Sequence, residues 1–373
     1  MERIEYSWGL ASIGLVVCII MLFISKPLVT YLSPQKNNVA KGVVLFFLLY
    51  ILNSIFSFWE WDTYHSWGEF VLAKQYKIFE INSYEPIYNW LASFTHFNYF
   101  LWRTLIWTPA CLFLYWAGKR LNILNRNFLL AMLLFLVFLY SARNQLGLAM
   151  LLLGLVMLID DDKQSRVLGL LLVGSSYFFH RTMYITIIFA AIALIKLNKN
   201  RITILLLLFP LFSMATTYLV DNIVSGEWII SMGNLGGEGN KVVRYAEQER
   251  AVSTIYGILG KIIKYTPQYL ALVYVVKRII FDNVLDGDQQ QRIWTFLMRF
   301  SFVCIYVAST FYFTETSMWV YERFKYMGII PLTFVLAKVW SLEPKTNIWV
   351  KSLIITQMIS LSFRWFMQWY DWA

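Results

Sequence analysis

Two carboxylates in aromatic surroundings are the first candidates for catalysis. Asp62 lies in the segment WEWDTYHSW, and Glu85 lies in INSYEPIYNW. A carboxylate hydrogen-bonds sugar hydroxyls and takes a proton from an attacking hydroxyl, while aromatic rings stack on the apolar faces of sugars. Trp61 and Tyr64 are therefore predicted to contact a sugar beside Asp62 or Glu85. The alternative for the aromatic residues is an interfacial belt, because Trp and Tyr are enriched at membrane boundaries.

Cations interrupt the apolar sequence at two further places. Arg143 stands between two apolar runs in LYSARNQLGLAML, and its fixed fork of donors suits a phosphate or diphosphate. His180 and Arg181 follow two serines in GSSYFFHRTMYIT. A neutral imidazole is a base or a hydrogen-bond donor, and a protonated His180 beside Arg181 would form an anion site. The alternatives are a snorkelling arginine and a core histidine.

A third polar group opens a late apolar run, in SMWVYERFKYMG. Arg323 and Tyr326 are three residues apart, so they share one face of a helix, and Lys325 lies between them. These residues are predicted to bind an anionic substrate, with a structural salt bridge from Glu322 as the alternative. Arg244 is a weaker candidate of the same kind.

The composition indicates that a membrane positions these residues. The chain has 373 residues, of which 59% are hydrophobic and only 14% charged. Soluble domains are about 25% charged, so the composition excludes a soluble enzyme, a disordered or fibrous protein and a nucleic-acid binder. No Cys–x–x–Cys or Cys/His spacing suggests a zinc site, and no metal or cofactor is expected.

The apolar runs predict an all-α, polytopic protein with about twelve membrane helices in one transmembrane domain spanning residues 1–373. The predicted spans are 8–25, 42–58, 102–117, 127–142, 143–159, 167–179, 181–195, 202–222, 256–276, 293–313, 323–340 and 349–370.

Alternation of these spans predicts the orientation. If the loop at 26–41 is cytoplasmic, the net charge of +10 falls on the loops of the inner side, as the positive-inside rule requires. The long segments 59–101 and 223–255 are then external. Asp62, Arg143, His180 and Arg323 all reach the outer side, where they are predicted to line one cavity for a phosphate-bearing lipid.

At these residues the sequence resembles the EpsG-type family of bacterial exopolysaccharide and capsule polymerases, which are Wzy-like. The resemblance covers about residues 40–340. The residues that carry it, in their order and spacing, are Asp62, Tyr64, Glu85, Pro86, Arg143, Ser175, Ser176, His180, Arg323 and Tyr326.

The resemblance implies a membrane glycosyltransferase with a GT-C-like architecture in the bacterial cytoplasmic membrane, with its active site facing outward. It would transfer glycan from an undecaprenyl-pyrophosphate-linked repeat unit to the end of another lipid-linked unit. Its partners would be that lipid-linked oligosaccharide, membrane lipids, a flippase and a chain-length regulator. The sequence leaves two alternatives open, namely a lipid-linked-oligosaccharide flippase or transporter, and a transferase that adds one sugar from a polyprenyl-phosphate donor.

Overall fold

The computed structural model describes residues 86–96, 98–123, 142–179, 183, 185–225, 255–311, 318–343, 348 and 351–352. Within these ranges the chain is helical, and they contain no strand, which agrees with the all-α prediction. The helices are α1 (Pro86–Phe94), α2 (Tyr99–Arg120), α3 (Ala142–Leu158), α4 (Lys163–Ser175), α5 (Ile185–Ala193), α6 (Lys199–Ser225), α7 (Ile255–Val276), α8 (Gln291–Thr310) and α9 (Met318–Leu342). A 3₁₀ turn, Ser176–Phe178, follows α4, and a π-helical turn, Lys277–Phe281, ends α7.

Three of the described helices contain a stretch long and apolar enough to cross a membrane: Lys199–Leu219, Gln291–Thr310 and Arg323–Leu342. The predicted spans 8–25 and 42–58, and most of 127–142 and 349–370, lie outside the described residues. The total of about twelve spans and the GT-C-like architecture stay predictions.

The helix bounds differ from the predicted ones where polar residues join α3 to α4. Asp162 accepts a hydrogen bond from the backbone N–H of Ser165 at 2.8 Å, so α4 begins at Lys163, before the predicted start at 167. Such an N-cap satisfies one of the unpaired donors at a helix start. Hydrogen bonding from the Ser165 backbone lowers the pKa of Asp162. The external segment predicted at 59–101 also contains α1 and the start of α2.

Ion pairs join the helices at one end of the bundle. Arg120, which ends α2, pairs at 2.5 Å with Asp160, which follows α3. Arg292 of α8 pairs with Asp161 at 2.8 Å, and the side-chain amide of Gln290 donates to the Arg120 carbonyl at 2.6 Å.

The same end holds the last turns of α7 and α9. Arg278 pairs with Asp282 at 2.6 Å and also with Glu343, which follows α9. Lys338 pairs with Asp288 at 2.5 Å. We call this end of the bundle, defined by Arg120, Arg278, Arg292 and Lys338, the basic end. The sequence predicts that these residues lie on one side of the membrane, and the contacts confirm that they lie together.

In the part of the chain that the structure describes, most buried apolar side chains form one continuous cluster centred on α3, α8 and α9. Leu152 of α3, Phe300 of α8 and Phe334 of α9 are fully buried in this cluster. In contrast, α6 lies at the periphery, where Leu207 is 73% exposed. Apolar exposure of this extent suits a lipid-facing helix, since hydrocarbon does not penalise it.

Glycines allow α3 and α4 to pack at close range. A Cβ on Gly169 would lie 2.5 Å from the backbone nitrogen of Leu158, and one on Gly154 would lie 2.8 Å from the Val173 side chain. Small residues at such crossings let helix backbones approach in membranes. The two contacts also show that α3 and α4 are antiparallel.

Replacing Gly169 by alanine is expected to destabilise the fold by about 1–3 kcal/mol, because the added methyl group meets backbone that has no room to move. Thermal unfolding of the purified protein measures the effect. Gly174→Ala is the matched control on the same helix, since no atom of the described residues lies within 4 Å of the place that its methyl group would take. An equal loss of melting temperature in both variants would contradict the close packing.

Among the described helices, α2, α6, α7 and α9 each contain a proline near the middle, namely Pro109, Pro210, Pro267 and Pro331. A proline removes one backbone hydrogen bond and bends a helix at that turn. Neighbouring helices make such bends tolerable inside a membrane.

Candidate functional site

Two arginines on neighbouring helices lie level with each other at the end opposite the basic end. Helices α2 and α3 pack together and run in the same direction, because Arg120 and Asp160 meet where they end. Arg103 precedes Arg120 by seventeen residues, and Arg143 precedes Asp160 by the same number. At 1.5 Å per residue both lie about 25 Å away from it. We call this opposite end the far end.

Helix α9 brings two more predicted cations to the far end. Arg323 and Lys325 precede Glu343 by twenty and eighteen residues, so they lie about 27–30 Å from the basic end. This separation approaches the roughly 30 Å thickness of a hydrocarbon core. Since α9 also packs against α3, the helices that carry Arg143 and Lys325 are in contact.

An aromatic cluster joins the segments that flank Glu85 and His180. The ring of Tyr88, on α1, meets Trp102 at a centroid distance of 6.0 Å and Phe179 at 6.4 Å. The Trp102 indole N–H also donates to the Tyr88 carbonyl at 3.1 Å. Two segments predicted to contribute to one site are thus anchored to each other.

A second cluster surrounds the residue between Arg323 and Lys325. Phe324 meets Phe189 of α5 at 5.3 Å and Phe311, just after α8, at 5.9 Å. Edge-on contacts of this kind stabilise a packed arrangement beyond the area that they bury. Helices α5, α8 and α9 are therefore held together beside the predicted anion-binding residues.

Polar side chains at the far end are buried to an unusual degree. Arg103 is 3% exposed, Lys325 is 1% exposed and Gln145 is 1% exposed, while Ser176 is fully buried. The Lys325 ammonium lies 5.1 Å from the centre of the Tyr326 ring. Charged groups are costly at such positions, so buried cations in apolar helices are candidates for binding an anion.

Arg103 is the residue that the sequence reading missed. It lies at the start of an apolar run, in YFLWRTLIW, where an arginine is usually a snorkelling interfacial cation. Only the packing of α1 and α3 around α2 shows that it is buried. The sequence offers no signal for this burial, because the match between Arg103 and Arg143 in distance from the basic end appears only once Arg120 and Asp160 are known to pair.

The structure describes only some of the predicted site residues. Arg323, Lys325 and Tyr326 lie at the far end, and Arg143 is in the first turn of α3 at the same end. The predicted catalytic residues and the remaining binding residues lie outside the described residues: Asp62, Glu85, His180, Trp61, Tyr64, Arg181 and Arg244. Their roles stay predictions.

The described far end carries cations and hydrogen-bond donors in apolar surroundings. Tyr269 and Ser309 add a hydroxyl pair at 2.6 Å between α7 and α8. Within the described ranges, no three His, Cys, Asp or Glu side chains gather as a metal site would require. Cations in a low-dielectric site bind a phosphate or diphosphate strongly, because water does not screen their charge.

Comparison with known proteins gives one match, to a family model. No curated protein and no solved structure matches the sequence. The model described as the EpsG family matches residues 40–371, which is nearly the whole chain and includes every predicted site residue. With its apolar helices, this match supports a membrane protein of polysaccharide biosynthesis. The chain belongs to the EpsG family.

Proposed function

We propose that the protein is a glycosyltransferase that polymerises lipid-linked oligosaccharide repeat units. It transfers the growing glycan from an undecaprenyl-pyrophosphate carrier to the end of a second lipid-linked unit. Membership of the EpsG family supports this function. The structural observation that carries it is the grouping of cations at the far end. Arg103 of α2 and Lys325 of α9 are buried there, and Arg143 lies in the first turn of α3 at the same height.

In the proposed reaction, a sugar hydroxyl of the acceptor attacks the anomeric carbon of the donor. A new C–O bond forms, the bond to the diphosphate breaks, and the bonding electron pair leaves with the diphosphate. Arg143 and Arg323 neutralise the developing charge, with Arg181, Lys325 and Arg103 in support. Asp62 takes the hydroxyl proton, and Glu85 and His180 are the alternative bases.

Holding both substrates in line supplies part of the acceleration. Trp61, Tyr64 and Tyr326 are proposed to position the sugars, and Arg244 to attract the anionic substrate from the external loop. The contacts of Tyr88 with Trp102 and Phe179 hold together the segments next to Glu85 and His180, the alternative bases.

The proposed orientation puts the basic end in the cytoplasm and the far end at the outer face of the bacterial cytoplasmic membrane. The charge distribution supports it, because the clustered Lys and Arg residues of the basic end follow the positive-inside rule. A flippase that delivers the substrate and a regulator that sets chain length are the proposed partners.

The direct test incubates purified full-length protein in liposomes with a lipid-linked repeat unit. The expected product is a ladder of glycans on a gel, each step one repeat unit longer. Addition of a single sugar from a polyprenyl-phosphate donor, without a ladder, would instead identify a single-sugar transferase. Movement of the unmodified lipid between leaflets, without longer product, would identify a flippase. Either outcome overturns the proposal.

A further inference from the structure

A groove of about 920 Å³ lies between α6, α7 and α8 and runs from the basic end to the Tyr269–Ser309 hydroxyl pair. Apolar side chains form most of its walls, including Leu206 of α6, Val273 of α7 and Ile305 of α8. The Tyr306 hydroxyl donates to the Leu205 carbonyl at 2.6 Å, which ties α8 to α6 beside the groove.

The groove has cations where it reaches the basic end. Lys199 and Lys277 line it there, and the Lys199 ammonium lies 5.5 Å from the centre of the Phe281 ring. Asp282 also lines it, but this carboxylate is paired with Arg278, which pairs in addition with Glu343. The mouth of the groove therefore carries a net positive charge.

A third cation, Arg299, lies on the face of α8 that lines the groove. Arg299 precedes Phe302 and Tyr306, which line the groove, by three and seven residues, so all three share one helix face. Arg299 is half-buried inside a membrane-spanning helix, and its Nε has no hydrogen-bond partner among the described residues.

The groove is at least one leaflet deep. Its lining runs from Phe281 to Thr266 along α7 and from Lys199 to Phe209 along α6, distances of about 22 Å and 15 Å. On α8 it reaches Ser309, which lies seventeen residues, or about 25 Å, beyond Arg292. Half of a hydrocarbon core is about 15 Å thick, so an acyl chain of a phospholipid at the basic end has room within the groove.

We infer that this groove binds an anionic, two-chain glycerophospholipid of the leaflet at the basic end. Lys199 and Lys277 hold the phosphate, and an acyl chain lies along the walls of α6, α7 and α8. The lipid-linked substrate is a different ligand, because its diphosphate is proposed to lie at the far end. The exclusion of the lipid-linked substrate rests on the proposed function, whereas the binding of an anionic lipid by Lys199 and Lys277 does not.

The test uses the full-length protein in phosphatidylcholine nanodiscs, titrated with phosphatidylglycerol that carries a photoreactive acyl chain. Saturable labelling of α6, α7 and α8 is expected. The double variant K199Q/K277Q is expected to weaken labelling about tenfold, since each lysine near a membrane surface attracts an anionic lipid. Val273→Trp, which fills the groove, is expected to abolish labelling there at unchanged melting temperature.

The matched control is K163Q/K196Q, which removes two exposed lysines from the same end but outside the groove. It is expected to change labelling less than twofold. An equal loss in the control, equal labelling by photoreactive phosphatidylcholine, or labelling that a polyprenyl diphosphate displaces would overturn the inference. Cysteine cross-linking of another segment of this chain into the groove would overturn it as well.

Discussion

Polymer formation is expected to fall by about two to three orders of magnitude when Arg143 is replaced by alanine. Loss of one preorganised donor to developing negative charge has an effect of this size in other enzymes. Arg143→Lys keeps the charge but loses the two-pronged geometry, so intermediate activity is expected. The measurement is the rate of ladder growth with purified protein and a lipid-linked repeat unit.

The control for this prediction is Lys163→Gln at the basic end, where an exposed cation is removed without touching the proposed site. Activity equal to that of the unmodified protein is expected. Full-length polymer at the normal rate from a well-folded Arg143→Ala protein would show that the diphosphate site lies elsewhere. Parallel Asp62→Ala and His180→Ala variants then identify which of these residues acts as the base.

Replacing Lys325 by methionine is expected to lower the rate of polymerisation without lowering the melting temperature. Lys325 is almost completely buried, so an apolar side chain of similar length keeps the packing. Removing the charge also removes the cost of keeping an ammonium away from water. The rate of polymerisation is nevertheless expected to fall about a hundredfold, because a cation is lost from the low-dielectric end of the site.

Two measurements decide this prediction together. The melting temperature is expected to equal or exceed that of the unmodified protein, while the gel ladder shortens or disappears. A purely structural role for Lys325 would give the opposite pattern, with a lower melting temperature and normal activity in the protein that remains folded. Phe334→Ala is a useful comparison, since truncating this fully buried core ring is expected to reduce stability by about 3–5 kcal/mol.

The sequence was sufficient to predict the helical class and the grouping of charges. The predicted spans 202–222, 293–313 and 323–340 coincide with the three described stretches that are long and apolar enough to cross a membrane, in α6, α8 and α9. Alternation along these runs correctly grouped Arg120, Arg278 and Lys338 at one end.

Other features depend on tertiary contacts that no periodicity reveals. Arg103 was missed since a cation near a span boundary has the same pattern whether it snorkels to water or is buried by neighbouring helices. Helix α4 begins at Lys163, before the predicted span 167–179, because hydropathy does not detect an N-cap such as Asp162. The groove between α6, α7 and α8 likewise depends on how three sequentially separate helices pack.

The positions of the prolines have a consequence for how the two ends of the bundle can move. Ion pairs join α2, α7, α8 and α9 at the basic end, whereas Pro109, Pro267 and Pro331 each remove a backbone hydrogen bond at mid-depth of α2, α7 and α9. A helix bends most easily at such a turn, so the halves of these helices toward the far end are the ones free to tilt. Under the proposed function, lateral entry of a glycolipid between these halves would leave the ion-paired end closed.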